Sequence, residues 1–125
     1  MSIQNLLQFP HFILISLGIL SAIISVIFIF FHKPKEKWYL LHKIFTSIGI
    51  VLMLVGVFFL GILSLTFWHA YLGFSAIIIV FITIFFALIQ LKKKKKKLRL
   101  IHIWTGRIVL LLLIVVMLIG LSYYL

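Results

Sequence analysis

Four long stretches without charge set what this chain can fold into. Positions 12–31, 44–67 and 70–91 contain no Asp, Glu, Lys or Arg, and 103–125 contains one, Arg107. Each reaches the roughly 20 apolar residues needed to cross the hydrocarbon core of a bilayer. A segment in lipid must satisfy its own backbone polar groups, and a helix does so. A water-soluble surface could not be built from what remains. The chain of 125 residues is 66% hydrophobic, and Glu36 is its one acid against twelve Lys and Arg. The expected fold is therefore all-α: an integral membrane protein forming an antiparallel, up-down four-helix transmembrane bundle. Its single domain spans 1–125, with helices over about 10–32, 37–64, 67–91 and 99–124. The links between them are short, which makes consecutive helices antiparallel neighbours. Residues 1–8 carry no basic group, so the first span is not expected to be a cleaved signal peptide.

The basic residues are confined to one edge of this arrangement. Lys33, Lys35, Lys37, Lys43, the run 92–97, Arg99 and Arg107 all fall at or near the first and third breaks. The other edge has none. Cytoplasmic edges of membrane proteins are enriched in Lys and Arg. The expected location is thus a cell membrane, multi-pass, with the lysine-rich loops cytoplasmic and both termini outside. The lysine run is read as a topology determinant resting on anionic lipid head groups, and alternatively as a docking site for an acidic redox partner or an anionic donor. It lacks interleaved aromatics and lies against a membrane, so no nucleic-acid partner is expected.

Five histidines stand in a chain that otherwise avoids ionisable groups: His11, His32, His42, His69 and His102. Ionisable groups in membrane spans are costly, and function is the first hypothesis for them. His11 opens helix one outside, His42 helix two inside, His69 helix three outside and His102 helix four inside. In a four-helix bundle, helices one and three are diagonal, as are two and four. His11 then faces His69 at the outer level, and His42 faces His102 at the inner level. Opposed imidazoles are what a bis-histidine haem iron takes as axial ligands. Along helix two, His42 and the level of His69 are expected to lie roughly 25–29 Å apart. His32 lies at the cytoplasmic end of helix one and is read as an interfacial ring near a propionate or donor site.

Small residues follow each histidine at helical spacing. Gly18 follows His11, Gly49 and Gly56 follow His42, Gly73 follows His69, and Gly106 and Gly120 follow His102; Ala22, Ser25, Ala76, Thr83 and Ala87 extend the stripes. All the glycines stay within roughly 40° of their histidine's face. Two readings stand: Gly18, Gly49, Gly73 and Gly106 give clearance to a flat macrocycle, or the stripes are ordinary close packing of membrane helices. Lys43, Arg99 and Arg107 are candidates for inner propionate contacts or, with Lys37 and Trp38, for a donor site. Ser64, Thr66, Trp68, Tyr71 and the terminal tyrosines are the candidates at the outer level.

Other chemistries lack their parts. The absence of cysteine excludes disulfides, cysteine-ligated iron–sulfur clusters and thiolate chemistry. The histidines are divided between two levels, unlike a clustered zinc or copper site. Hydrolysis and carboxylate-coupled proton transport lack an acid inside the membrane. A cofactor-free subunit that organises a membrane complex, and a His-lined metal or solute carrier, remain as other classes.

The segments W-H-A-Y-L-G-F around His69, R-L-I-H-I-W-T-G-R around His102 and W-Y-L-L-H-K around His42 resemble the cytochrome b561 family. The resemblance covers essentially the whole chain, although familiar members have six helices where this chain has four. It implies a transmembrane oxidoreductase with two haem b groups, His11 and His69 ligating one and His42 and His102 the other. It further implies a donor of ascorbate or quinol type, or a redox protein, and ferric, radical or quinone acceptors. The lack of basic residues on the outer edge favours a quinone or protein acceptor over an anionic one. A homodimer stays among the expected assemblies. The b-type cytochrome subunits of quinone-linked dehydrogenases and hydrogenases are the rival family.

Overall fold

The computed structural model describes residues 9–59 and 68–123. The expected second break, the ends of helices two and three beside it, and the candidates Ser64, Thr66 and Tyr124 lie outside these residues. Four helices follow in order: α1 (Pro10–Phe31), α2 (Trp38–Phe58), α3 (Trp68–Lys93) and α4 (Lys96–Ser122). All four are long and apolar enough to cross a membrane. No strand occurs among the described residues, as expected of an all-α chain. The side chains are distributed inside out relative to a water-soluble protein. Phe30, Phe58 and Leu111 are 76%, 82% and 66% exposed, whereas Ser21, Ser25 and Thr83 are buried. Apolar exteriors of this kind are solvated by lipid, and small residues carry the contacts between membrane helices.

The helices form two compact units, the α1–α2 hairpin and the α3–α4 hairpin as far as Gly120. In the first, Pro10 sits at the start of α1, where its missing N–H costs nothing and its fixed φ suits a helix. His32 ends α1 in the left-handed region at φ 50°. The Pro34 carbonyl then accepts from the N–H groups of Lys37 and Trp38 at 3.0 and 2.9 Å and starts α2. The α1–α2 contact is made by glycine. A Cβ on Gly18 would stand 2.8 Å from the Gly49 carbonyl oxygen, and one on Gly49 the same distance from the Gly18 carbonyl oxygen. Ser21 Oγ donates to the Phe45 carbonyl at 2.7 Å, and the Phe28 and Phe45 rings tilt together at 5.5 Å.

In the second hairpin the helices replace most of the expected loop. The break foreseen at 92–99 reduces to Lys94 and Lys95, because α3 continues to Lys93 and α4 begins at Lys96. Lysine is a good helix former, and Lys92 and Lys93 in the last turn of α3 complement its dipole. Lys94, at φ 49°, turns the chain while its N–H closes on the Gln90 carbonyl at 2.8 Å. Ala76, Val109 and Val116 are buried in this hairpin.

Candidate functional site

Each hairpin carries a histidine at either end, because antiparallel helices begin at opposite ends. The ring of each is fixed by the neighbouring helix. His11 Nδ1 lies 2.9 Å from the Gly56 carbonyl oxygen, 45 residues along. His69 Nδ1 lies 2.9 Å from the Val116 carbonyl oxygen, 47 residues along. At the other ends, His42 Nδ1 lies 2.7 Å from Ser25 Oγ, 17 residues back, and His102 Nδ1 lies 3.1 Å from the Thr83 carbonyl oxygen, 19 back. The same four-part scheme therefore appears twice in the chain, with two more residues in each span of the second copy.

The chemistry of these contacts is specific. A carbonyl oxygen can only accept, so Nδ1 of His11, His69 and His102 carries the donated proton, and a ring that is neutral in this arrangement has its lone pair on Nε2. Metal-bound histidines usually present this arrangement, with one nitrogen ligating and the other donating to a carbonyl or carboxylate that fixes tautomer and orientation. All four rings are half-buried. His32 differs. It is exposed at the hairpin tip, its ring edge-on to Trp38 at 4.6 Å. The five histidines thus divide into four with Nδ1 beside a group of the neighbouring helix and one exposed at a hairpin tip.

The helix register gives the spacing of the two histidine levels within each hairpin. Gly56, level with His11, lies roughly 21 Å of rise from His42 along α2. His69 to Thr83, which is level with His102, gives the same rise in α3. Because α4 begins at Lys96, His102 stands beyond its first turn.

Gly18 and Gly49 do not provide the clearance allowed for a macrocycle. Each is filled by the backbone of the other's helix, so close packing is their role. Gly56 is packed likewise by Leu14 and Ile15 of α1. Gly73 and Gly106 do retain space: a Cβ there would meet only Val116 Cγ1 at 3.7 Å and Thr83 Cγ2 at 3.8 Å. Gly120 serves the histidine directly, since a Cβ would stand 2.5 Å from His69 Cε1. Of the basic candidates, Lys43 places Nζ 4.7 Å from the Tyr39 ring centroid, and Arg107 places its guanidinium carbon 5.3 Å from that of Trp104. Both are exposed and held by aromatic faces. Arg99 lies in an open groove with Lys96, Lys97, Leu100 and Ile103. Trp68 and Tyr71 at the other end are exposed.

No family model matches the chain, and no curated protein or solved structure matches it either. Among the described residues no three His, Asp or Glu side chains gather around a common point.

Proposed function

We propose that the chain is a transmembrane electron carrier that binds two b-type haems through His11, His69, His42 and His102, similar to cytochrome b561 oxidoreductases. The observation that carries this reading is the common Nδ1 anchoring of those four rings and not of His32. A half-buried histidine needs some partner, but four rings with Nδ1 set against the neighbouring helix, three of them donating to carbonyls, is the pattern of a ligand set. The proposed pairing, His11 with His69 and His42 with His102, takes one ring from each hairpin and follows the order of the histidines along the chain. Bound at two depths, the haems would supply one-electron redox chemistry. The protein supplies ligation, an apolar surround and ring orientation. A quinol-type or ascorbate-type donor, or a redox protein, is proposed to act at the lysine-rich end.

The deciding experiment is a reduced-minus-oxidised absorption spectrum of the purified full chain, with haem extracted and quantified. About two haems per chain with sharp b-type bands is the expected result. A folded, colourless protein after expression with ample haem would overturn it and leave the assembly-subunit reading.

The proposed orientation, termini outside and lysines in the cytoplasm, rests on the charge asymmetry. The chain contains no cysteine, so one can be introduced cleanly. A membrane-impermeant maleimide should label Tyr123→Cys in intact cells and Lys95→Cys only after permeabilisation. The reverse labelling would invert the protein.

A further inference from the structure

The His42 anchor differs from the other three, because its nearest partner is a hydroxyl. Ser25, on α1, is 1% exposed. Its Oγ lies 2.7 Å from His42 Nδ1, 3.0 Å from the His42 carbonyl oxygen and 2.5 Å from Thr46 Oγ1. A serine hydroxyl has one proton and two lone pairs. The carbonyl can only accept, so making all three contacts hydrogen bonds leaves one assignment. Ser25 donates to the His42 carbonyl, and Thr46 O–H and His42 Nδ1–H both donate to Ser25 Oγ. The Ser25 carbonyl oxygen, 3.4 Å from Nδ1, is a weaker second acceptor.

We propose that Ser25, supported by Thr46, is a positioning residue that holds His42 in the Nδ1–H form through a hydroxyl acceptor, so that the His42 ligand is tuned separately from the other three. This rests on the haem reading for its consequence but not for the hydrogen-bond assignment. Where a carbonyl is the acceptor, the partner cannot reverse its role. A hydroxyl can, and it stays an acceptor here only while its own proton is engaged. The strength of the bond to Nδ1–H sets how electron-rich the ring is, and with it the reduction potential of a metal bound at Nε2. Thr83, which stands opposite His102 as Ser25 stands opposite His42, spends its hydroxyl on the Ile79 carbonyl at 2.8 Å and leaves its backbone carbonyl to the histidine. The two hairpins thus hold similar rings by different acceptors.

Two measurements test this on the full chain in nanodiscs. In a potentiometric titration at fixed pH, Ser25→Ala should keep both haems and shift one midpoint potential while the other stays. Thr46→Val should shift the same potential by less, and Ser25→Thr should restore it. Unchanged potentials in Ser25→Ala, or equal shifts in both, would overturn the assignment. The second measurement needs no haem: in protein expressed without haem and labelled with ¹⁵N-histidine, the His42 ring should be a single Nδ1–H tautomer, and a mixture in Ser25→Ala. A wild-type His42 ring protonated at Nε2 would overturn the proposal. Failure of the haem reading alone would appear as colourless protein with the tautomer intact.

Discussion

Alanine at His42 or His102 is expected to abolish one haem species, alanine at His11 or His69 to abolish the other, and alanine at His32 to abolish neither. On the proposed reading, each of the first four variants should fall from about two haems per chain to about one, because a site that loses one of its two histidines would no longer hold its haem. The fold should survive these changes. The Val116 and Thr83 carbonyls that accept from Nδ1 lie inside helices, so removing a ring leaves them their helical partners, and the Gly56 carbonyl lies in the last turn of α2. Loss of a half-buried hydrogen bond costs about 1 kcal/mol. Helical circular dichroism should therefore stay near wild type while the spectrum loses half its amplitude. The grouping of variants is the sharper readout. If His11→Ala and His42→Ala removed the same species, the ligands would be paired within a hairpin and the proposed order would fail. Retention of both haems in any of the four would remove that residue from the ligand set.

The fold was legible because lipid simplifies the problem. A run of uncharged residues long enough to span has one local solution, and 12–31, 44–58, 70–91 and 103–122 lie on four helices. The third break is shorter than its polarity suggests, for a physical reason. Six consecutive lysines read as a loop because they are polar, yet lysine favours helix and these are solvated at helix ends. The residues that fix the site were less visible. Three acceptors are backbone carbonyls, which every residue possesses, so nothing marks Gly56, Val116 or Thr83 as partners of a histidine. Ser25 was visible as a small residue, but its role depends on the six-residue link that sets it beside His42. The glycines carried an ambiguity that spacing could not resolve: one stripe pattern holds Gly18 and Gly49, which are closed by packing, and Gly73 and Gly106, which are open.

That distinction gives the largest expected effect on stability, in Gly49→Leu. The Cβ of any residue at 49 meets the Gly18 carbonyl oxygen at 2.8 Å, Ala22 N at 3.4 Å and Ser21 Cβ at 3.5 Å. Two of these three atoms are backbone and cannot rotate aside, so α1 and α2 must separate. Overpacking of this kind typically costs about 1–3 kcal/mol, and a leucine between touching backbones belongs at the upper end or beyond. The consequence is not only thermal. Gly18 and Gly49 lie midway between the His11–Gly56 contact and the Ser25–His42 contact, so spreading the helices there lengthens both. Gly49→Leu should lower the unfolding temperature and reduce binding of both haems together, unlike any single histidine variant. Gly73→Ala and Gly106→Ala are the controls, since their added methyl meets one side-chain carbon each at ordinary van der Waals distance. They should unfold within a few degrees of wild type. A Gly49→Leu protein that melted normally with both haems would show that the α1–α2 crossing does not hold the histidines, and the link from glycine contact to ligand geometry would be lost.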